Sequence, residues 1–360
     1  MHIDPQRLSR TSQPVTSGLG LRRPKRKAFS LIELMIVISI IAILMSLLLV
    51  GVQAARNAAR VATVTVEFKN MEKDIADFKA KFGAEPPSGI TLYETPANWF
   101  PPTAPPIPYA VAARSRALVR QIWPDFDFTI ARDINGDNDT TDTITLNGAE
   151  CLVFFLGGLN STNVVDKNGV LIPPATTGTV ITTWAPLGFS TNPTNPFSRG
   201  GARLGPYHDF NLGRLTNIDG AADAEGMPEY IDPLPGQRNP ILYASSYGGK
   251  GYRDADMQLT TQPIYNAYSP VPTGFAYCYR RYAGTTYPFP ADPASPGPTD
   301  KSFSALPAFN AKSCQLISPG LDGEYGWGGV LNTNMELVEP RPERNFERDN
   351  ITNFKGGTLN

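Results

Sequence analysis

Histidine is almost missing from this chain. His2 and His208 are the only two in 360 residues, which excludes multi-histidine metal centres and leaves little for an imidazole-based triad. Cysteine is as sparse: Cys151, Cys278 and Cys314 make three thiols, so at least one stays unpaired or pairs outside the chain, and no CxxC pair occurs. Cys278 and Cys314 either bridge neighbouring strands or act as small buried apolar residues. There is no glycine-rich phosphate loop and no nucleophile elbow. A pair of carboxylates brought together by the fold is the one catalytic arrangement left open, and the chain reads as a non-enzyme.

Negative charge is nearly missing from the first 28 residues, where Arg7, Arg10, Arg22, Arg23, Lys25, Arg26 and Lys27 stand against Asp4 alone. Charge of either sign is then missing from Phe29 to Val52, 24 residues in which Glu33 is the single exception. At about 1.5 Å per residue, a helix of that length crosses a hydrocarbon core of roughly 30 Å. Basic residues beside a span stay cytoplasmic, so the remainder is expected outside the inner membrane. An acid in the span costs ~2.5 to 3.5 kcal/mol at its centre and less near an end, which marks Glu33 as a functional candidate. If a peptidase cuts between Ala28 and Phe29, the new chain has a free amine about one turn before Glu33. In a bundle of subunits the amine of one chain then meets Glu33 of its neighbour, and an expensive charge becomes a device for setting register.

Residues 22–50, a basic leader, a small residue, Phe29 and an apolar helix with Glu33 in fifth place, resemble the type III signal of type IV pilins and type II secretion pseudopilins. Ala28 stands where the family usually has glycine. The resemblance implies cleavage by prepilin peptidase on the cytoplasmic face, N-methylation of Phe29, and assembly with other copies and related pseudopilins on an inner-membrane platform, in the service of protein secretion. The head would lie in the periplasm before assembly. Three other accounts compete: a secretory signal peptide cut before Ala55, an uncleaved signal anchor carrying an adhesin or ligand-binding protein, and a buried core helix. A minor pilin is a further alternative within the class. Removal of residues 1–28 takes away seven basic residues and one acidic residue, so the chain of net charge −1 becomes one near −7. That polyanionic balance argues against a nucleic-acid partner.

The helix is expected to continue beyond the span. Val61, Val64, Phe68, Met71, Ile75, Phe78 and Phe82 follow at steps of three and four, one apolar stripe. Glu67, Lys69, Glu72, Lys73, Asp77 and Lys81 lie opposite, often three or four apart. Gly83 and the Pro86–Pro87 pair then stop it. The expected organisation is a leader (1–28), a transmembrane half-helix (29–52), an amphipathic half-helix (53–82) and a head (83–360) rich in loops, given 34 Pro and 32 Gly. Segment 83–110 reads as a linker or long loop, Arg116 to Ile122 as a short helix, and Gly148 to Gly157 as a buried helix or strand. The stretch from 160 to 240 gives no readable elements. Pro240–Ser245, Gly274–Tyr279 and Lys312–Ile317 read as strands. The fold class is α+β and pilin-like, a long N-terminal helix on a small antiparallel sheet with loop-rich insertions.

Gln315 to Gly326 and Arg348 to Phe354 resemble the closing loop of the major pseudopilin of type II secretion, in which a Ser-x-Gly-x-Asp-Gly turn and a later Asp-rich turn fold around one calcium ion. The resemblance makes Asp322, Asp349 and Asn350 side-chain ligands; Trp327 to Glu347 is inserted between the two halves, and Asn350 replaces the second carboxylate. Calcium suits such a site because it accepts 6 to 8 oxygens in irregular geometry. A second acidic run, Asp133, Asn135, Asp137 and Asp139, repeats the opening of a calcium loop, but Asn138 stands where the glycine belongs and Ile144 where the closing acid belongs. It reads as a partial calcium loop or as a solvated acidic turn.

Overall fold

Steps of three and four residues along Val61 to Phe82 produce what they predict. In the computed structural model, α1 (Leu31–Phe82) is one uninterrupted helix of 52 residues. The residues described are 30–103, 105–160, 184–217, 227–253, 256, 277–283, 306–326, 328–337 and 346–359. The chain divides into two compact units, Met1–Ala55 and Arg56–Asn360, and α1 contributes to both. In the first unit, every residue from Leu31 to Ala55 is exposed. In the second, Val64, Phe68, Met71, Ile75 and Phe78 are buried, with Val61 and Phe82 packed at the edge of the same core. Gly83, at φ +75° and donating its N–H to the Lys79 carbonyl at 2.8 Å, ends the helix in a conformation that a side chain would resist.

The polar residues of α1 are not all on an open face. Glu67 pairs with Arg214 and with the Tyr230 hydroxyl at 3.0 Å, and Asp74 meets His208 Nδ1 at 2.7 Å. These contacts fasten the helix to His208, Arg214 and Tyr230 beside its apolar stripe.

The Pro-rich segment 83–110 is not a plain linker. It contains β1 (Ile90–Tyr93), a short 3-10 turn (Pro96–Trp99) and the start of α2 (Pro106–Ile122). Proline is tolerated in the first turn of a helix, where its missing N–H has no intrahelical role. The apolar signal seen from Arg116 onward is therefore only the second half of a longer helix. β2 (Thr143–Leu146) pairs antiparallel with β1, Ile90 opposite Leu146. α3 (Gly148–Gly157) resolves the helix-or-strand ambiguity: all ten residues are buried and its start is fixed by a reciprocal capping box between Asn147 and Glu150. Gly148 lets α3 press against a strand, since a Cβ there would lie 2.0 Å from the Tyr243 carbonyl.

Two short antiparallel pairs follow in the stretch that the sequence leaves blank, β3 (Phe189–Ser190) with β4 (Arg203–Leu204) and β5 (Leu215–Thr216) with β6 (Glu229–Tyr230). The main sheet has β7 (Leu242–Ser245), and the next strand, β8 (Tyr277–Arg281), lies outside it. β9 (Cys314–Ser318) pairs antiparallel with β7, whereas β10 (Gly328–Leu331) pairs parallel with β8. β11 (Ile351–Thr352) and β12 (Gly357–Thr358) complete a four-stranded sheet in the order β12-β11-β9-β7. Alternation along the strands feeds two cores. Tyr243, Leu316 and Ile351 join the core that includes the α1 stripe; Leu242, Ala244 and Ile317 join a second one with Tyr279 and Leu331. All three cysteines are buried and no disulfide joins them; the strands bearing Cys278 and Cys314 are not neighbours in a sheet.

Candidate functional site

Ala28 and Phe29 lie outside the described residues. Glu33 is in the first turn of α1, and in a single chain it already has a partner: its Oε2 accepts the Ser30 N–H at 2.9 Å, while Ser30 Oγ accepts the Ile32 N–H at 3.3 Å. Ser30 and Glu33 thus form a local N-terminal cap of the Ser-x-x-Glu kind. The Ser-x-x-Glu spacing that signals such a cap is present in the sequence.

The C-terminal loop begins where β9 ends. Ser318 Oγ donates to Asp232, Gly320 donates its N–H back to Ser318 Oγ at 3.1 Å, and the chain turns through Gly320 and Gly323 at φ +71° and +78°. Asp349, which leads into β11, crosses to this turn. Its Oδ2 accepts the N–H groups of Leu321 at 2.6 Å and Asp322 at 2.9 Å. The Asp322 and Asp349 side chains hydrogen-bond, and Asp322 is pushed up to about 7, first by burial of its carboxyl and then by the Asp349 and Glu324 carboxylates, against the pull of the Glu324 N–H. Burial raises Asp349 as well. Asn350 is fully buried and turned away from solvent: its amide nitrogen donates to Tyr279 Oη at 3.1 Å and to the Tyr325 carbonyl at 2.7 Å. Its Oδ1 and Glu324 Oε2 are buried acceptors without a donor. Two of the three expected ligands are thus brought into contact, and the third is next in sequence with an unused oxygen.

The other acidic run folds differently. Asp133 accepts the N–H groups of Gly136 at 2.5 Å and Asn138 at 3.2 Å, Asn135 accepts that of Asp137, and Asp137 that of Asp139. These are side-chain turns that the loop makes upon itself. The group that organises it is Glu94, just after β1. Fully buried, it accepts from Ile134 at 2.5 Å and Asn135 at 3.4 Å on one oxygen and from Asp142 at 3.2 Å on the other. Carboxylate oxygens of Glu94, Asp139 and Asp142 lie within 4.8 Å of one another. Burial pushes Glu94 up to about 7 in spite of those three N–H groups, and Asp142 is raised by burial and by the acids around it. Glu94 is some forty residues from the loop, and only the β1–β2 pairing brings it there. Asp133 faces Arg199 at 3.8 Å and so belongs to an ion pair rather than to this group.

Compared with known families, residues 23–49 match the prokaryotic N-terminal methylation motif. The match supports a type IV pilin-like protein of the prepilin-processed kind, which points to a structural subunit rather than an enzyme. Together with the exposed apolar helix near the N-terminus, it is consistent with a single-pass membrane anchor. No curated protein and no solved structure matches the chain.

Proposed function

We propose that this chain is a structural subunit of a filament of the type II secretion pseudopilus or type IV pilus class. The observation that carries the reading is the methylation motif at residues 23–49, set at the start of a helix whose first half is apolar and exposed and whose second half buries one apolar stripe in a head. The subunit is held in the inner membrane by the first half of α1, loses residues 1–28 on the cytoplasmic face, and is drawn into a fibre through that same half-helix. Within the fibre, Glu33 receives the N-methylated amine of Phe29 from a neighbouring copy, so that charge pairing sets the register of subunits.

The same reading includes calcium at the C-terminal loop. Asp322 and Asp349 would hold the ion, with Asn350 Oδ1 as the adjoining acceptor. An all-oxygen set with raised carboxyls in contact and a buried oxygen lacking a donor suits a hard cation. Bound calcium supplies the positive charge that two adjacent carboxylates need in order to ionise together.

The decisive measurement is mass spectrometry of the mature N-terminus from the native membrane or filament fraction. A chain that starts with N-methylated Phe29 supports the pilin pathway. A start at Met1 overturns it in favour of an anchored adhesin or ligand-binding protein, and one at Ala55 in favour of a secreted protein. Glu33→Ala should still insert but should not polymerise; normal fibres from that variant would remove Glu33 from the assembly role.

A further inference from the structure

We propose that the cleft between α2 and the β1–β2 ribbon binds a small molecule that carries one carboxylate on an apolar body. The inference goes beyond the filament reading and does not depend on it. The cleft has a volume of about 610 Å³, within the roughly 300 to 1,000 Å³ of small-molecule sites. Ile90, Ala110, Val111 and Leu146 give it an apolar lining, to which Thr91 and Thr145 add hydroxyls.

The charges in this lining do not cancel. Asp256 is its one acid, and that acid is buried and committed. Arg114 lies 3.3 Å from its Oδ2, the Ser88 hydroxyl donates to the same oxygen at 3.1 Å, and the Tyr247 hydroxyl donates there as well. Gly89 allows this depth, since a Cβ on it would lie 2.6 Å from Asp256 Oδ1. Arg114 also donates to Tyr247 Oη at 2.8 Å, so the Arg114–Asp256 pair is a closed and neutral piece of wall. Arg253 is the charge left over. It is exposed, has no ion pair among the described residues, and is held by a turn in which the Asp256 N–H donates to its carbonyl at 3.0 Å. α2 brings no acid to the cleft. One unbalanced guanidinium is matched by one carboxylate, whereas a dianion would leave an excess of negative charge beside Asp256.

A second observation points to the same kind of ligand. Asn147 belongs to the lining and is only 5% exposed. Its Oδ1 caps α3 by accepting the Glu150 N–H at 3.1 Å, but its Nδ2 donates to nothing. The nearby acid does not take that donor, because the Glu150 carboxylate is turned back onto the Asn147 N–H at 2.7 Å. A buried donor without an acceptor is costly, and a ligand oxygen that supplies one removes the cost. A carboxylate whose body lies against Val111 and Leu146 serves both groups: it pairs with Arg253 and accepts from Asn147 Nδ2.

The test is titration calorimetry of the full-length chain in detergent with three probes: benzoate, benzamide as its neutral match, and inorganic phosphate. Benzoate is expected to bind at about millimolar strength or tighter, and the other two at least about tenfold more weakly. Asn147→Asp preserves the cap of α3, since aspartate caps a helix as well as asparagine, but it puts an acceptor where the donor was. That variant and Arg253→Glu should each weaken benzoate by about tenfold or more. Arg253→Glu changes an exposed side chain without a partner, so its result is readable even if Asn147→Asp melts early by circular dichroism. Absence of benzoate binding overturns the proposal, as do benzamide or phosphate binding as tightly as benzoate, or wild-type affinity in either folded variant. None of these outcomes touches the mature N-terminus, on which the filament reading is tested separately.

Discussion

Two acidic clusters in the head hold a carboxyl near neutrality, yet they are built for different ends. At Glu94 the loop has closed on its own acid: three backbone N–H groups point at one buried carboxylate, and Asp133, Asn135 and Asp137 spend their oxygens on turns. At Asp322 and Asp349, two carboxyls share a contact while Asn350 Oδ1 and Glu324 Oε2 are buried without donors. The first cluster has more acids in the sequence but lacks the glycine and the closing acid of a calcium loop. Unused oxygen favours the second in the structure, because a buried acceptor with no donor costs about 1 to 3 kcal/mol and persists where something supplies the missing charge.

The strongest way to break this contrast is Glu94→Ala, which strands three N–H groups and is expected to cost roughly 3 to 5 kcal/mol in chemical denaturation of the full chain in detergent. Glu94→Gln keeps an acceptor and should cost far less; equal losses from both would show that the carboxylate charge, rather than its acceptor role, organises the loop. Calcium comes next in size. Added at a hundredfold its dissociation constant, it should stabilise the wild-type chain by about 2.7 kcal/mol, and Asp349→Ala should abolish the response while Glu94→Gln retains it. If Asp139→Ala removed the response instead, the two clusters would have to exchange roles.

A smaller effect is expected from pH without calcium. The folded values of Asp322 and Glu94, each about 7, lie above their ordinary 3.8 and 4.5. Such groups favour the folded state fully below the ordinary value, and that contribution is lost as pH rises through about 7. Thermal stability should therefore fall from about pH 4 to about pH 7. Asp322→Asn should remove one part of the slope and Glu94→Gln the other; calcium should flatten only the part due to Asp322. The smallest change belongs to Asp142→Asn, expected within about 1 kcal/mol and silent toward calcium, because it keeps the N–H that Glu94 accepts. Calcium release from that variant would tie the two loops together.

Periodicity and composition made α1 legible from Val61 to Gly83, because one face of a helix must recur every three or four residues. β7, β8 and β9 were legible for a similar reason, since their apolar and aromatic residues are flanked by Gly or Pro. Their pairing was not: β8 joins β10 in parallel, a choice made by tertiary packing. α2 hid behind four prolines between residues 101 and 106, which read as loop until the last of them is seen to open a helix. At the clusters, Asp322 and Asp349 were found because a resemblance paired them across an insertion. Glu94 carries no local signal, as its meaning comes from a strand partner more than forty residues away.

The cap at the start of α1 changes what assembly must accomplish. Glu33 does not wait bare in the apolar segment, since the Ser30 N–H already occupies it. On the proposed reading, a neighbour's amine arriving at Glu33 competes with the Ser30 N–H already there, and the net gain of recruitment is reduced by whatever that contact loses. A growth step built on such a competition gains less than one that pairs a bare carboxylate, and so lies nearer to balance. The subunit could return to the bilayer intact, its carboxylate handed back to its own chain, and the same stock of protein could be drawn out again.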